Sequence, residues 1–109
     1  MQSTAIQHLP EPRHEDMRLE AVLGALSDPV RLSIVRTLAE TDGDSRSCGS
    51  FGLSVSKSTA SHHFRVLREA GVTHTRVEGG ARHVTLRREG LEERFPGLLE
   101  AILAAAPAA

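Results

Sequence analysis

The residues best suited to chemistry lie between Ser56 and Gly71, SKSTASHHFRVLREAG. A helix advances about 100° per residue. On that wheel Lys57, Ser58, Ser61, His62, Arg65, Arg68 and Glu69 share one side. Ala60, His63, Phe64, Val66, Leu67 and Ala70 share the other, with Thr59 among them. Ser56 stands where a hydroxyl can cap the first free N–H groups. Gly71 stands where a left-handed residue ends a helix. The polar side carries no carboxylate before its last turn. Small hydroxyls and cations at a helix N-terminus suit phosphate oxygens and base edges. An ordinary solvated face has the same pattern, so the neighbouring segments must decide.

Other candidates for chemistry are sparse. His8 and His14, with Glu15 and Asp16, are clustered metal-ligand types. Imidazole and carboxylate suit nickel, cobalt or zinc, but the spacing matches no fixed motif. Cys48 is the single thiol. No Gly-rich phosphate loop, zinc-hydrolase helix motif or nucleophile elbow is present. His62 and His63 are adjacent and point about 100° apart on a helix, so they form no catalytic pair. His63 faces inward and reads as a core histidine with its hydrogen bonds satisfied. The sequence reads as that of a non-enzyme.

The elements that must position the central helix follow from the rest of the chain. At 109 residues, one domain with a small core is expected. Its aromatic residues are Phe51, Phe64 and Phe95 alone, so Leu, Val, Ile and Ala must fill that core. No apolar run approaches the ~20 residues of a membrane span, no signal peptide is visible, and a lone cysteine fits a reducing compartment. A cytoplasmic protein is expected. The net charge is −1, but it is unevenly spread. Residues 1–44 carry 4 basic and 8 acidic groups, residues 45–90 carry 8 and 3, and residues 91–109 carry 1 and 3. A positive island between acidic flanks is the electrostatic footprint of a polyanion partner.

Residues 1–14, with Pro10 and Pro12, read as a flexible arm. A first helix is expected over about 15–26, with Leu19, Val22, Leu23 and Leu26 as its apolar stripe. Asp28 and Pro29 then cap and open a second helix to about Ala39, with Val30, Ile34, Val35 and Leu38 inward. TDGDSRS at 41–47 is a polar turn. A weak third helix over about 47–53 contains Gly49 and Gly52. With the turn Ser54–Val55 and the helix 56–71 it makes a helix-turn-helix layout. Val72–Glu78 and Ala81–Leu86 flank Gly79-Gly80 and predict a β-hairpin. Arg76, Arg82, Arg87 and Arg88 make it basic, as a wing touching backbone or minor groove would be. A last helix after Pro96 presents Leu98, Leu99, Ile102 and Leu103, and residues 106–109 form a C-terminal fray. First and last helices show more apolar surface than such a core covers. They are expected to pair with each other and with a second copy, through Leu19, Val22, Leu23, Leu98, Leu99, Ile102 and Leu103. The fold class is therefore mainly α with a hairpin wing: a winged helix-turn-helix over residues 15–105.

The motifs LSDPVRLSIVRTL at 26–38 and SVSKSTASHHFRVLREAGV at 54–72, followed by the hairpin to Leu86, resemble the ArsR (arsenic repressor-type) winged-helix regulators. The resemblance covers roughly residues 15–105. It implies a homodimeric transcription factor, usually a repressor, that grips a pseudo-palindromic operator and releases it when an inducer binds. It implies DNA contacts by Lys57, Ser58, Thr59, Ser61, His62 and Arg65, with Arg76 and Arg82 from the wing. Lys57 and Arg65 would reach phosphate or guanine, and Arg82 would anchor the wing. The chain departs from the family's metal sensors. In place of a Cys-x-Cys pair it has Cys48 alone, and residues 96–109 contain no His or Asp. Three readings of its control stay open: a sensing partner protein, a transition-metal effector at His8, His14, Glu15 and Asp16, or a redox switch at Cys48, which needs an exposed thiol of lowered pKa. No cofactor is required for the DNA grip itself. The rival function is a winged-helix interaction module that dimerises and acts through a partner protein. Salt dependence separates the two, because only a DNA reader releases condensed counterions.

Overall fold

Asp28 and Pro29 start the most regular part of the molecule. A computed structural model describes residues 5–41 and 45–105. The Asp28 carboxylate accepts from the N–H groups of Val30 (2.9 Å) and Arg31 (3.1 Å), and Pro29 is the first residue of helix α2, Pro29–Glu40. Ile34, Val35 and Leu38 of α2 are buried. Helix α1, Leu19–Ala25, precedes it. Helix α3, Lys57–Ala70, opens with the Ser56 hydroxyl accepting from Thr59 N–H at 3.2 Å. It closes at Gly71, whose φ is +93°. Helices α4, Arg88–Arg94, and α5, Leu98–Ala105, complete the set.

Gly79 (φ +60°) and Gly80 (φ +81°) supply the positive φ values of a two-residue hairpin turn. The turn joins β3, Thr73–Glu78, to β4, Ala81–Leu86, with Glu78 opposite Ala81 and Thr73 opposite Leu86. Two further strands extend the hairpin into a four-stranded antiparallel sheet. β1, Ile6–His8, lies along β3, and β2, Arg46–Ser47, along β4. The core joins Val22, Ile34, Val35, Leu38, Phe64, Leu67, Val72 and Val84, with Leu91 and Leu99 from the C-terminal helices.

The structure corrects several expectations. Residues 5–14 are not a free arm. Their β1 strand covers the open edge of β3, where unpaired N–H and C=O groups would otherwise remain. Glu11 then receives His74 Nδ1 and pairs with Arg87 Nε at 3.0 Å. Neither proline interferes, because each offers only its carbonyl: Arg68 donates to Pro10 O and Arg87 to Pro12 O. The first helix begins at Leu19 rather than near Glu15. A 3-10 turn at His14–Asp16 and extended backbone at Arg18 intervene and drop Met17 into the core at 1% exposure. The third helix over 47–53 is only a 3-10 turn, Cys48–Phe51, ended by left-handed Gly52. Residues 1–4 of the expected arm, residues 42–44 of the polar turn and the fray at 106–109 lie outside the described residues.

The interface expectation divides. Leu19 and Leu23 are each 45% exposed, whereas Val22 (0%) and Leu99 (4%) belong to the chain's own core. Leu98, Ile102 and Leu103 are half-buried against that core. Within one chain α1 rests chiefly on α3, and α5 on α4, so the terminal helices are not each other's main partners.

Two outcomes follow from the caps. A Cβ on Gly71 would stand 2.4 Å from Met17 Sδ, and Met17 is buried and cannot swing away. With left-handed backbone costing other residues about 1–2 kcal/mol, Gly71→Ala should destabilise the fold by about 2 kcal/mol or more in urea unfolding. Asp28→Ala should cost about 1 kcal/mol. The backbone N–H of Arg31 holds the Asp28 carboxyl below its ordinary value, burial opposes this, and the Val30 N–H adds to it. The stability contributed is therefore complete above the ordinary aspartate range and lost as pH falls through the lowered value. Asp28→Ala should remove that part of the acid-unfolding profile.

Candidate nucleic-acid interface

One side of α3 is fixed by packing. His63, Phe64, Leu67 and Ala70 are buried against α1, α2 and β3. Arg31 donates to His63 Nδ1 at 3.1 Å, and Asp28 Oδ2 lies 3.9 Å from the same nitrogen, so this ring is a satisfied core group. The other side follows by elimination: Lys57, Ser58, Ser61, His62 and Arg65 are exposed. Thr59 is exposed too, but its hydroxyl already accepts from Ser56 Oγ at 2.9 Å. Its place on the wheel near the apolar arc does not bury it, because it stands in the first turn beyond the core's reach.

Ser58, Ser61, His62, Arg65 and Arg68 line an open polar groove of about 480 Å³, and Arg82 of β4 closes its far wall. Among the described residues, no carboxylate lines the groove, and the partner of Arg65 is the His62 ring, at 3.4 Å. Among the described residues, Lys57 and Arg82 have no hydrogen-bond or ion-pair partner. Such a groove can take phosphate oxygens on its guanidinium groups and present hydroxyl and imidazole groups to base edges. Arg68 is the one groove residue not expected as a contact. Its polar-face position was visible in the sequence, but the arm that seats its guanidinium at Pro10 O (3.2 Å) was not.

The other wing arginines are placed elsewhere. Val77 pairs with Arg82, and Arg76 with His83, so Arg76 and Arg82 project from opposite faces of the sheet. Arg76 is half-buried on the outer face, 3.5 Å from Glu78, and does not join the groove. Arg87 is tied to Glu11, Pro12 O and Gly71 O, and Arg88 donates to Ala39 O at 3.0 Å.

The candidate effector residues are dispersed. His8 Nδ1 meets His74 Nε2 at 2.9 Å, while His14 lies near Glu15 (3.5 Å) and Glu93 (3.6 Å). Glu15 and Asp16 both face Arg13. Among the described residues no three His, Cys, Asp or Glu side chains meet as a metal-binding group. Cys48 is half-buried, and burial pushes its thiol above the ordinary cysteine value, with Arg82 pulling weakly the other way. A redox switch needs the opposite shift.

The helix-turn-helix domain family matches residues 26–76, from the end of α1 into β3. The chain is also similar to the uncharacterized HTH-type transcriptional regulator YceK of Bacillus subtilis (strain 168). The two are 41% identical over 90 residues, which span 81% of this chain and 89% of that protein. No helix among the described residues is long and apolar enough to cross a membrane.

The exposed cations of α3 give a direct test. Lys57→Ala combined with Arg65→Ala should weaken binding to a duplex oligonucleotide at least about tenfold in a gel shift, the scale of one or two phosphate contacts. Its melting temperature should not change, because both side chains are exposed. Arg76→Ala should leave the affinity within about twofold.

Proposed function

The chain belongs to the helix-turn-helix transcriptional regulators, and from that premise we propose that it is a homodimeric repressor of the ArsR type, gripping a pseudo-palindromic operator with α3 and the β3–β4 wing. The observation that carries this reading is the groove of Ser58, Ser61, His62, Arg65, Arg68 and Arg82, which no carboxylate lines among the described residues. Lys57, Arg65, Arg68 and Arg82 take phosphates, and Ser58, Ser61 and His62 face the base edges. Thr59 supports the N-terminal turn of α3 through Ser56. Repression follows from the resemblance in motifs, since a protein seated on the operator excludes the polymerase. The grip uses no cofactor, and its setting is the cytoplasm.

Dimerisation is supported by Leu19 and Leu23, large apolar side chains that the single chain leaves 45% exposed on one helix. Leu98, Ile102 and Leu103 are only half-covered on α5. A second copy that buries these patches also presents two copies of α3, as a two-fold operator requires.

Lys57 and the three groove arginines give four cations per subunit, or about eight phosphate contacts per dimer. The logarithm of affinity should therefore fall with the logarithm of salt concentration at a slope of about −7. A flat dependence would instead favour an interaction module acting through a partner protein. Leu23→Glu should convert the dimer to a folded monomer in light scattering, because an unpaired carboxylate is not tolerated in an apolar interface. A Leu23→Glu protein that stays dimeric would place the interface elsewhere. A reporter driven by the region upstream of the chain's own coding sequence should be silenced by the wild type and released by Lys57→Ala with Arg65→Ala.

A further inference from the structure

A second cavity, about 240 Å³, opens beside the groove, between the Cys48–Phe51 turn, the first half of α3 and β4. Its walls are mostly apolar. Phe64, Ala60 and the Cys48 side chain form the floor, and Lys57, Ser61 and Arg82 stand around the mouth. Phe64 is 7% exposed and packs against Phe51 with ring centroids 5.3 Å apart, so the floor is held in place. Small side chains keep the space open: a Cβ at Gly49, also on the wall, would meet no atom within 4 Å.

The charges at this cavity are one-sided. Among the described residues, no carboxylate lines it. Most other cations of the chain are already engaged: Arg31 by Ala25 O, Arg46 by Ser50 O, Arg87 by Glu11, Arg94 by Met17 O. Lys57 and Arg82, by contrast, have no partner among the described residues. Burial pushes the half-buried Cys48 thiol above its ordinary value. The cavity thus offers an apolar slot beneath two unneutralised cations. A phosphodiester would satisfy the cations but has nothing to bury against Phe64 and Ala60. A ring or short chain bearing one carboxylate does both, and an apolar slot with few convergent polar groups is how small-molecule sites are built.

We propose that this cavity is an effector site for a small organic anion with an apolar body, of the benzoate class. On the reading of the groove as a DNA grip, such an anion releases the operator, because Lys57, Ser61 and Arg82 serve both. The anion draws two phosphate-binding cations inward and places a negative charge where the DNA backbone must lie. Control is then direct competition at one wall, with no relay through the fold.

The test uses the full chain and benzoate, with benzamide as its neutral isostere. Titration followed by ¹H–¹⁵N NMR in the absence of DNA should show saturable shifts at Cys48, Gly49, Ala60 and Phe64. Benzamide should bind at least about tenfold more weakly. Ala60→Leu fills the slot and should abolish the benzoate shifts while duplex binding in buffer persists. In the wild type, saturating benzoate should weaken duplex affinity on the order of tenfold for each phosphate deprived of its cation. Equal binding of benzoate and benzamide, or shifts scattered away from this wall, would overturn the anion site even if Ala60→Leu fails to fold. Benzoate bound at this wall with duplex affinity unchanged would overturn its role as an effector. A wild type that binds benzoate but no duplex at all would overturn the DNA reading and leave the anion site standing.

Discussion

Phe64, Leu67 and Ala70 sink one side of α3 against α1, α2 and the sheet, and that burial decides which residues the helix shows to its surroundings. Each large apolar side chain removed from water contributes about 1.5–3 kcal/mol. Turning the helix by one residue's arc would expose them and push Ser61 or Arg65 inward without a partner, at a cost of several kcal/mol for the charge alone. The orientation is therefore not adjustable, and a cationic, hydroxyl-rich face is held outward before any ligand arrives. Gly71 extends the constraint to the wing. Its left-handed turn and the close approach of Met17 set where β3 departs, and hence where Arg82 stands relative to α3.

The arginines divide by what they touch. Arg31, Arg87, Arg88 and Arg94 donate to backbone carbonyls and tie helices, arm and sheet together. Among the described residues, Lys57, Arg65 and Arg82 meet no carboxylate. A chain of net charge −1 can still present a positive groove, because Asp28 caps α2, Glu11 holds the arm, and Glu15, Asp16, Glu20 and Glu78 pair with arginines elsewhere. Glu11 combines three such tasks: one carboxylate holds both His74 and Arg87, fastens the N-terminal strand, and keeps itself away from the groove.

What was legible in the sequence was local. Ser56 and Gly71 bound α3, Asp28-Pro29 opens α2, and Gly79-Gly80 turns the hairpin, because each acts through its nearest neighbours in the chain. The docking of residues 5–14 was not legible. Their pairing partner lies some seventy positions away, and the pull is the open edge of β3 rather than any pattern within the arm. Met17 escaped for a similar reason: a helix pattern ran through it, and only the close packing at Gly71 shows why the chain must break there. The weak third helix gave way to a 3-10 turn once Gly49 and Gly52 left too few side chains to hold it. The place of Arg76, by contrast, was within reach of the sequence. A two-residue turn at 79–80 sets Glu78 opposite Ala81, which puts Arg76 and Arg82 on opposite faces by parity alone.

On the proposed reading, DNA is held by the exposed side of α3 together with Arg82, and not by the outer face of the sheet. Chemical-shift mapping of the full chain with a duplex from its own upstream region tests this most directly. Changes should concentrate at Lys57, Ser58, Ser61, His62, Arg65, Arg68 and Arg82, with His8, Arg76 and His83 unmoved. Changes centred on His8, Arg76 and His83, with α3 silent, would contradict it.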